Sequence, residues 1–409
     1  MNCRSCGAAL TCEFLDLGTA PPSNAFLAAA DLAKPEAWFP LKLHACGQCH
    51  LVQVDEVQAH DQLFSPDYVY FSSYSRSWLE HAERYVAMAV ERLQLDGSSL
   101  VVELASNDGY LLQYVAARGI PCLGIEPTEG TAVVARSRGI ETIVRFFGRG
   151  FAEELAGSRG GADLIVGNNV LAHVPDINDF VAGIARLLSE QGVATLEFPH
   201  LLELVANRQF DTVYHEHFSY LSFHTVQRLF ASHGLRLWDV ETLPTHGGSL
   251  RVWACLDSAQ HAQTPAVAAM LSREEAAGMM DMAWYQGFQK VAEDVKDDFL
   301  AFLLEKKRAG QRVAAYGAAA KGNTLINFAG IRSDLIQFVV DASPHKQGRF
   351  LPGSRIPVVD ESMLRQAKPD FVVILPWNLR DEISHQLRYV SQWQGKLVVA
   401  IPRIEVLGS

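Results

Sequence analysis

Segments that favour β-strands alternate with helical segments over most of the chain, and this alternation limits the fold more than any other feature. After a helical stretch, SRSWLEHAERYVAMAVERLQL, the strand-like runs are SLVVELAS, PCLGIEPT, ADLIVGNN, GVATLEFP, LRLWDVETL and LRVWACL. Parallel strands joined by helices form a doubly wound sheet that is covered on both faces. The last two runs lie close together around PTHGGS, which predicts a hairpin at the end of the sheet. The sequence therefore predicts a Rossmann-like α/β core.

A second, smaller α/β unit is predicted behind this core. A long helical pattern over about residues 271–309 precedes four segments of the same type, RVAAYGAAAKGNTLINFAG, LIQFVVDASPHKQG, FVVILPWN and GKLVVAIP. The residues ahead of the core are irregular, contain proline and carry two pairs of cysteines. We therefore predict three domains, at residues 1–76, 77–259 and 260–409. Such a division suits this length, because one hydrophobic core rarely serves more than about 300 residues.

Charge and hydropathy narrow the range of partners. A net charge of −11 disfavours a nucleic-acid ligand, since phosphate backbones are bound by basic surfaces. It is compatible with a small anionic ligand, which needs only a few local donors. No run of about 18 apolar residues is present, and MNCRSCGAAL lacks the apolar core of a secretory signal. We expect a cytoplasmic protein without membrane partners, and a monomer, because nothing in the sequence demands an oligomer.

Four of the seven cysteines form two C-x2-C pairs, Cys3, Cys6, Cys46 and Cys49. Two residues between cysteines let both thiolates turn toward one metal ion, and two such pairs complete a tetrahedron. Disulfides are disfavoured in a reducing compartment, and a redox function would need a separate context for each pair. His44 and His50 flank the second pair and could replace a cysteine, although four cysteines suffice. We predict a structural Zn2+ ion with no open coordination position.

The segment after the first strand of the core predicts the site of an adenosyl ligand. SLVVEL is followed by the turn ASNDG, which lets backbone amides approach a ligand closely. The turn lacks the G-x-G-x-x-G pattern of a pyrophosphate-binding loop, since only Gly109 is present. Glu126 lies 23 residues after Glu103, at the end of the next strand, where a carboxylate can accept hydrogen bonds from both ribose hydroxyls. We therefore predict an adenosyl cofactor without phosphates.

Further cofactor-binding candidates follow from their place in the sheet. Asn168 and Asn169 come after the fourth strand, at the carboxyl edge where ligands bind in such folds. Phe147 follows a third short strand, ETIVRFF, and either contacts the adenine or packs in the core. The predicted set is Glu103, Ala105, Ser106, Asn107, Asp108, Gly109, Glu126, Pro127, Phe147, Asn168 and Asn169.

Several motifs resemble those of a known family. ELASNDGYL, GIEPT, NNVLAHVPD, EFPHLLEL, YHEHFSYLS, HGGSLR and YGAAAKGNT resemble segments of the sugar C-methyltransferases of deoxysugar biosynthesis. YHEHFSYLS and YGAAAKGNT are the more specific elements, and the resemblance extends over essentially the whole chain. It implies a three-domain enzyme with a zinc domain, a domain that binds S-adenosylmethionine, and a C-terminal domain that helps to hold a nucleotide-linked 4-keto-6-deoxysugar.

The implied reaction requires a base. A carbon next to a ketone becomes a nucleophile by losing a proton, so a general base must lie near that proton and a donor near the carbonyl oxygen. The resemblance places Tyr214, Glu216 and His217 in the active site. We expect His217 to be the base, Glu216 to fix its tautomer and raise its basicity, and Tyr214 to bind the sugar. The sequence leaves open whether YHEH is extended or turned, and His173 and Glu216 are alternative bases.

Two more residues complete the predicted catalytic set. The resemblance makes His173 a donor to the keto oxygen or to a sugar hydroxyl, and Tyr68 of PDYVYFSSYS could reach over the cofactor. Substrate-binding candidates lie in the glycine-containing hairpin and in the third block, where small residues at a helix N-terminus suit a diphosphate. They are His246, Ser249, Arg251, Tyr316, Gly317, Lys321, Asn323, Asp341, Lys346 and Arg349.

Other functions fit parts of the sequence. An NAD-dependent sugar-nucleotide epimerase or dehydrogenase is disfavoured because neither strand–helix turn carries a complete glycine fingerprint. An O- or N-methyltransferase would need no base beside a ring carbon. A zinc-bearing binding or regulatory protein with an inactive core is disfavoured by the intact set of Glu103, Glu126, Tyr214, Glu216 and His217.

Overall fold

The computed structural model describes residues 1–55 and 71–407, and the strands within them form three sheets. The first sheet contains β1 Cys12–Ala20, β2 Phe39–Ala45, β3 Val52–Val54 and β9 Ser219–Tyr220. Neighbouring strands in the order β1-β2-β3-β9 are antiparallel, and Val52 pairs with Tyr220. The block that we expected to be irregular is therefore an antiparallel sheet, and β9, from the second predicted domain, completes it.

Seven strands form the central sheet, β4 Val101–Leu104, β5 Cys122–Ile125, β6 Thr142–Ile143, β7 Ala162–Asn168, β8 Leu188–Pro199, β10 Leu235–Leu243 and β11 Ser249–Leu256. They lie in the order β10-β11-β8-β7-β4-β5-β6. The strands from β4 to β8 are parallel, whereas β11 is antiparallel to both β8 and β10. All four residues of β4 are buried, as expected for a parallel strand covered on both faces. The predicted doubly wound sheet and its closing hairpin are confirmed.

Helices cover both faces of the central sheet. α1 Arg76–Leu93, α2 Leu112–Ala116 and α3 Glu129–Ser137 contribute to the apolar core on one face. α4 Arg149–Arg159, α5 Ile177–Leu187 and α7 Phe223–Ala231 contribute to the core on the other face, and α6 Leu201–Ala206 follows β8. The strand order is that of a Rossmann-like fold, with the switch point between β4 and β7.

The third sheet contains β12 Val313–Tyr316, β13 Val339–Val340, β14 Val358–Val359, β15 Phe371–Ile374, β16 Lys396–Val399 and β17 Glu405–Leu407. Its order is β14-β13-β12-β15-β16-β17, and only the β16–β17 pair of this sheet is antiparallel among the described residues. The helices of this part are α8 Pro265–Ala276, α9 Phe288–Arg308, α10 Ala320–Phe328, α11 Ser362–Ala367 and α12 Arg380–Gln386. The second α/β unit is thus present as predicted.

The single long helix predicted over residues 271–309 is wrong. α8 ends at Ala276, a short 3-10 helix covers Met282–Gln286, and α9 begins at Phe288. Gly278 has φ +87°, a left-handed conformation that glycine adopts readily and that ends a helix. The chain therefore turns between two shorter helices.

The first and third sheets share one apolar core. Side chains of β1, α9 and β12 belong to the same buried cluster, and Phe14 stacks on Phe288 with ring centroids 5.2 Å apart. Among the described residues, no helix combines the length and the apolar character needed to cross a bilayer. Because they share this apolar core, the N-terminal and C-terminal sheets pack against each other.

Candidate active site and metal centre

The four cysteines of the two C-x2-C pairs lie together in the first block. Their sulphur atoms all lie within 4.8 Å of one another, with the Cys3–Cys49 and Cys6–Cys46 pairs each 3.5 Å apart. Tetrahedral Zn–S bonds of about 2.3 Å separate sulphur atoms by about 3.8 Å, so these thiols fit one Zn2+ ion. The second knuckle is tightened by a 3.0 Å hydrogen bond from the His50 N–H to the Cys46 carbonyl oxygen. The geometry is that of a closed, structural zinc site.

The two nearby histidines point elsewhere. The His44 Nε2 atom lies 3.5 Å from the Asp55 carboxylate, and the His50 ring stacks on Tyr285 with centroids 5.8 Å apart. Neither belongs to the group of candidate ligand atoms formed by the four thiols. The four cysteines therefore suffice as ligands, as the sequence indicated.

The turn after β4 is braced by Glu126. The Glu126 Oε2 atom accepts a 2.9 Å hydrogen bond from the Asn107 N–H, and Oε1 accepts one of the same length from the Thr128 N–H. Each carboxylate oxygen can accept another hydrogen bond, which the two ribose hydroxyls of an adenosyl group would supply. Ala105 and Asn107 have φ values of 54° and 50°, so the turn is held in an uncommon left-handed geometry. Its shape and the carboxylate fit the predicted ligand.

Unpaired acceptors surround this turn. Among the described residues, four buried carboxyl and amide oxygens at the carboxyl edge have no hydrogen-bond partner, Glu103 Oε2, Asp108 Oδ1, Asn168 Oδ1 and Asn169 Oδ1. Burial raises the pKa of Glu103 well above its usual range, although a hydrogen bond from Tyr110 opposes the shift. Buried acceptors are normally satisfied, so the edge is suited to a ligand rich in donors and positive charge, such as one with an ammonium group, a sulfonium group and hydroxyls.

Phe147 is partly buried and packs against the core on one face of the central sheet. Its ring meets Phe180 edge to face with centroids 5.4 Å apart, and it lies close to Gly183, where a Cβ atom would approach it to 2.9 Å. Of the two interpretations left open by the sequence, the contacts favour packing over adenine binding. Pro127 is half-buried beside Glu126, and the Ser106 hydroxyl is buried near Gly124 without a hydrogen-bond partner among the described residues.

Residues just before α1 lie on the cofactor turn. The Ser72 N–H donates a 2.9 Å hydrogen bond to Asn107 Oδ1, and the Ser73 hydroxyl bonds to the Asp108 carboxylate. Arg138 also contacts Asp108, with a guanidinium nitrogen 3.3 Å from Oδ2. Tyr68, the remaining catalytic candidate of this region, lies outside the described residues.

Replacing Glu126 with glutamine is expected to weaken binding of S-adenosylhomocysteine by about 10- to 100-fold. The amide nitrogen of glutamine would place its N–H groups against the N–H of Asn107 or Thr128, where two donors repel each other. The variant would also lose hydrogen bonds to a charged group, each of which contributes about 1.5–3 kcal/mol. Isothermal titration calorimetry measures the effect. Glu129→Gln is the matched control, because Glu129 is exposed at the start of α3 and pairs with Arg136. Equal affinities for the two variants would contradict the assignment of Glu126.

The YHEH segment is a turn between a short 3-10 helix, Phe210–Thr212, and β9. The His217 N–H donates a 3.0 Å hydrogen bond to the Tyr214 carbonyl oxygen, which closes the turn. His215 faces away from the other members, with Nε2 3.1 Å from the Pro40 carbonyl oxygen. Because β9 pairs with β3, the first block fixes the position of this turn.

The tautomer of His217 is set by Thr212 and not, as expected, by Glu216. The His217 Nδ1–H donates a 3.0 Å hydrogen bond to the Thr212 carbonyl oxygen, which leaves Nε2 as the acceptor nitrogen. The Tyr214 hydroxyl donates to that Nε2 over 2.8 Å. Burial, with a contribution from His173, lowers the pKa of His217 well below its usual range, so the ring is neutral. The expected Glu216–His217 contact is wrong; the Glu216 carboxylate instead accepts a 2.7 Å hydrogen bond from Asn24.

Two further imidazoles lie beside His217. His173 meets it edge to face with centroids 4.5 Å apart, and its Nδ1–H donates a 2.9 Å hydrogen bond to the Glu216 carbonyl oxygen. The Nε2 atom of His246 accepts a 3.0 Å hydrogen bond from the Asn169 amide. Burial lowers the pKa of each to about 4. In this tautomer His173 presents an acceptor nitrogen, so it suits a sugar hydroxyl better than the keto oxygen that we also considered.

The third block brings a lysine to the same place. Lys321 Nζ donates a 2.7 Å hydrogen bond to Asn378 Oδ1 and lies 4.7 Å from the ring centroid of Trp377. Trp377 in turn donates 2.7 Å from Nε1 to the fully buried Asp211 carboxylate. Burial lowers the pKa of Lys321, and burial raises that of Asp211 to about 6. The positive charge of Lys321 contributes to the lowered pKa values of His217 and His246, so the three side chains lie within electrostatic range of one another.

Sequence reasoning missed Asp211, Trp377, Asn378 and Asn24. Trp377 and Asn378 lie three and four residues after the end of β15, and a polar or aromatic residue just past the carboxyl end of a parallel strand is a usable signal. Asp211 lies three residues before Tyr214 in a segment with several other polar residues. Asn24 lies about 190 residues from its partner, and no local pattern points to it.

Two hairpin candidates are occupied within the protein. The Arg251 guanidinium pairs with Glu197 on β8 and, over 3.0 Å, with Glu241 on β10, so its predicted contact with substrate is wrong. The Ser249 hydroxyl donates a 2.9 Å hydrogen bond to the Thr245 carbonyl oxygen. Arg251 is a residue of the sheet interior, because its strand places it directly opposite Glu197.

The turn after β12 repeats the arrangement around Glu126. The Asp341 carboxylate accepts 2.8 Å hydrogen bonds from the Ala318 N–H and the Ser343 N–H, as Glu126 does from the turn after β4. Lys346 Nζ donates 2.9 Å to the Ala318 carbonyl oxygen and lies 3.7 Å from Asp341. The predicted polar loop thus has two of its candidates in contact.

The other candidates of the third block are dispersed. A Cβ atom at Gly317 would meet Pro376 at 2.4 Å, so a protein ring fills the space that we expected a ligand to approach. The Tyr316 hydroxyl accepts a 2.7 Å hydrogen bond from Gln386, and Arg349 is exposed. Asn323 is buried on α10, with neither side-chain polar atom paired among the described residues.

A carboxyl edge of this kind, on a doubly wound sheet without a phosphate loop, is that of an S-adenosylmethionine-dependent methyltransferase. Family models match three consecutive ranges, a zinc binding domain at residues 3–64, a methyltransferase domain at residues 78–240 and a C-methyltransferase C-terminal domain at residues 244–402. The chain is 36% identical over 408 residues to the C-methyltransferase NovU of Streptomyces niveus, covering 100% of this chain and 97% of that protein. The chain therefore belongs to the zinc-containing C-methyltransferases.

Other relatives share less. The ubiquinone biosynthesis O-methyltransferase of Azorhizobium caulinodans is 29% identical over 94 residues, which are 23% of this chain and 37% of that protein. Magnesium protoporphyrin IX methyltransferase of Synechocystis, solved with bound S-adenosylhomocysteine, has a TM-score of 0.35 and 17% identity, covering 43% of this chain and 82% of that one. An S-adenosylmethionine-dependent methyltransferase of Mesorhizobium loti has a TM-score of 0.35 and 15% identity, covering 43% of this chain and 99% of that one.

Family membership decides between the general classes of function that the sequence left open. The chain binds S-adenosylmethionine and carries an N-terminal zinc-binding domain with four cysteines. Its reaction is C-methylation, so the NAD-dependent alternative is set aside.

Proposed function

We propose that the enzyme methylates a nucleotide-linked 4-keto-6-deoxysugar at a carbon next to the ketone, in deoxysugar biosynthesis. The observation that carries this proposal is the neutral imidazole of His217, whose Nδ1–H is held by Thr212 and whose Nε2 is therefore an acceptor, here bonded to the Tyr214 hydroxyl. C-methylation needs a carbon nucleophile, and a C–H bond beside a carbonyl group gives one when a base removes the proton. Methylation of an oxygen or nitrogen atom would not require a base beside a ring carbon.

The proton and the electrons balance in a single sequence of steps. His217 Nε2 takes the proton from the carbon next to the ketone, and the C–H electron pair becomes an enolate. S-adenosylmethionine, when bound, supplies the electrophilic methyl group. The enolate carbon forms the new C–C bond as the bond between the methyl group and sulfur breaks, and that electron pair leaves with S-adenosylhomocysteine. The imidazolium then returns its proton to solvent. Glu216 lies in the same turn, and in its carboxylate form it would lower the cost of placing a positive charge on His217.

Tyr214 covers the acceptor nitrogen of His217. Its hydroxyl already donates to His217 Nε2, so the base acts by one of two routes. Either the substrate displaces the Tyr214 hydroxyl and meets Nε2 directly, or the Tyr214 oxygen takes the carbon-bound proton while its own proton passes to His217. Both routes need the acceptor tautomer that the Thr212 carbonyl sets.

The groups that would hold the substrate come from two blocks. Lys321, which is half-buried, would provide an ammonium group for an oxyanion, either the developing enolate or a phosphate oxygen of the nucleotide. His173 would offer an acceptor nitrogen to a sugar hydroxyl, and His246, whose Nε2 accepts from Asn169, would offer Nδ1–H as a donor. Asp341 and Lys346, in the turn after β12, would contact the nucleotide part.

The proposal is tested by incubating the enzyme with a nucleotide-linked 4-keto-6-deoxysugar in D2O, with and without S-adenosylmethionine. We expect the proton next to the ketone to exchange with solvent, and a C–CH3 product to form when the cofactor is present. Nuclear magnetic resonance separates a C-methyl group from an O-methyl ether. An O-methyl product, or C-methylation only of ketones without a nucleotide, would contradict the proposed substrate.

A further inference from the structure

An asparagine of the first block reaches the catalytic turn. Asn24 lies in the connection between β1 and β2, and its Nδ2–H donates a 2.7 Å hydrogen bond to Glu216 Oε1. Glu216 is 4% exposed, so the contact is shielded from water. An ionised carboxylate only accepts hydrogen bonds, whereas a carboxylic acid can also donate one. A donor amide at this place therefore favours the ionised form of Glu216.

The segment that carries Asn24 is held by the third block. Leu27 and Phe350 exchange two backbone hydrogen bonds, of 3.0 Å and 2.9 Å. Lys346 Nζ lies 5.5 Å from the ring centroid of Phe26, and the Gly353 N–H donates 2.7 Å to Glu36. These contacts fix the chain on the C-terminal side of Asn24, so its amide has a defined position instead of swinging on a free loop.

The surroundings of Glu216 contain few charges. From its own turn it has Tyr214 and the neutral His217, and the neutral His173 bonds to its backbone carbonyl oxygen. From the first block it has Asn24, and Lys346 reaches only the Phe26 ring of that segment. Burial raises the pKa of Glu216 to about 7, and the hydrogen bond from Asn24 opposes this rise. Among the residues that the structure describes, Asn24 is thus the polar partner that acts directly on this carboxyl group.

We propose that Asn24 is a positioning residue of the methyl-transfer reaction, which orients the Glu216 carboxyl group through its 2.7 Å hydrogen bond and favours the carboxylate. This inference rests on the proposed function for its effect on catalysis. The carboxylate form is the useful one in either role of Glu216, because both the removal of a proton and the neutralisation of an imidazolium need a negative charge. The first block then contributes to the reaction as well as to zinc binding.

Asn24→Ala tests the proposal through a pH profile. Activity is expected to rise as pH increases through the pKa of Glu216, because the carboxylate is then formed. Loss of a hydrogen bond to a charged group is expected to move this acidic limb of kcat/KM upward by about one pH unit. Asn24→Asp is expected to move it further, since two carboxyl groups at hydrogen-bond distance cannot both ionise easily. The KM for S-adenosylmethionine should stay within about twofold, because the cofactor turn is not touched.

The matched control is Asn178→Ala. Asn178 also joins the first block to the central part of the protein, with Nδ2 2.8 Å from the Arg4 carbonyl oxygen, but it lies near the zinc end. Both alanine variants should lose a similar amount of thermal stability, whereas only Asn24→Ala should shift the pH limb. The proposal would be overturned if the acidic limb of the kcat/KM profile lay at the same pH in wild type and Asn24→Ala, and the variant differed only by a lower melting temperature.

A second measurement does not depend on the substrate. The 13C resonance of the Glu216 side-chain carboxyl, assigned by its loss in Glu216→Gln, reports its pKa directly. We expect this pKa to rise by about one unit in Asn24→Ala. If the pKa of Glu216 rises in Asn24→Ala but wild type transfers no methyl group to the ketosugar, the proposed substrate is refuted and the effect of Asn24 on Glu216 stands. If the pKa of Glu216 does not change in Asn24→Ala, the positioning role is refuted.

Discussion

His217→Asn is expected to lower the rates of both α-proton exchange and methyl transfer by about 100- to 10,000-fold, the range associated with a general base. The substituted amide retains polarity but cannot accept the carbon-bound proton with comparable basicity. Binding of S-adenosylhomocysteine should be unchanged, because the cofactor turn is built from β4, β5 and β7 and not from this segment. Nuclear magnetic resonance in D2O follows exchange, and a radiolabelled methyl donor follows transfer.

His215→Asn provides the matched control. His215 lies in the same turn, two residues away, but its ring bonds to Pro40 and packs against Phe39 with centroids 6.1 Å apart. Its replacement should affect stability and leave proton exchange within a few-fold of wild type. Methyl transfer that persists in His217→Asn would show that another group removes the proton or that the acceptor is a heteroatom.

Tyr214→Phe distinguishes the two routes to His217. If the substrate meets Nε2 directly, removal of the hydroxyl leaves the lone pair available and exchange continues. If the Tyr214 oxygen relays the proton, Tyr214→Phe loses exchange to about the same extent as His217→Asn, because the two residues then act as one unit.

Cys46→Ser, or removal of zinc by a chelator, is expected to abolish methyl transfer by unfolding the first block. Zinc contributes about 10–16 kcal/mol of binding free energy to small structural sites, and a whole domain is stable by only about 5–15 kcal/mol. The sheet of the first block carries β9, and β9 anchors the catalytic turn. The segment with Asn24 belongs to the same block. Loss of the metal thus reaches His217 and Glu216 without any role for zinc in the chemistry.

Zinc content by mass spectrometry and thermal unfolding measure the effect of this substitution. Cys12→Ser is the control, since Cys12 lies on β1 in the same block but outside the group of four thiols. It should keep one zinc ion and nearly full activity. A zinc-free Cys46→Ser protein with wild-type kcat would show that the metal is dispensable for holding the catalytic turn.

Much of the fold could be predicted because its signals are local. The apolar runs of β4, β5, β7 and β8 and the hairpin of β10 and β11 are visible as periodic segments. Glu126 could be assigned because a carboxylate at the end of the second strand has a defined geometric meaning. The break between α8 and α9 was missed although Gly278 marks it, because the helical pattern resumes on both sides.

The remaining features depend on contacts between distant segments. Arg251 looked like a donor for a ligand until the strand register placed it opposite Glu197. The tautomer of His217 is determined by a backbone carbonyl oxygen five residues away. The segment is a turn, so the patterns of apolar residues that predict strands and helices give no information about it. Asn24 and β9 act across the first and second blocks, and spacing along the chain contains no information about such pairs.

The apolar core shared by the first and third sheets has a consequence for biosynthesis of the protein. Ribosomes release a chain from its N-terminus at about 5–20 residues per second, so β1 emerges well before α9, which covers Phe14. Until α9 is translated, the buried face of β1 stays open to solvent and to neighbouring nascent chains. The N-terminal block of this enzyme is therefore the first part made and among the last to complete its packing.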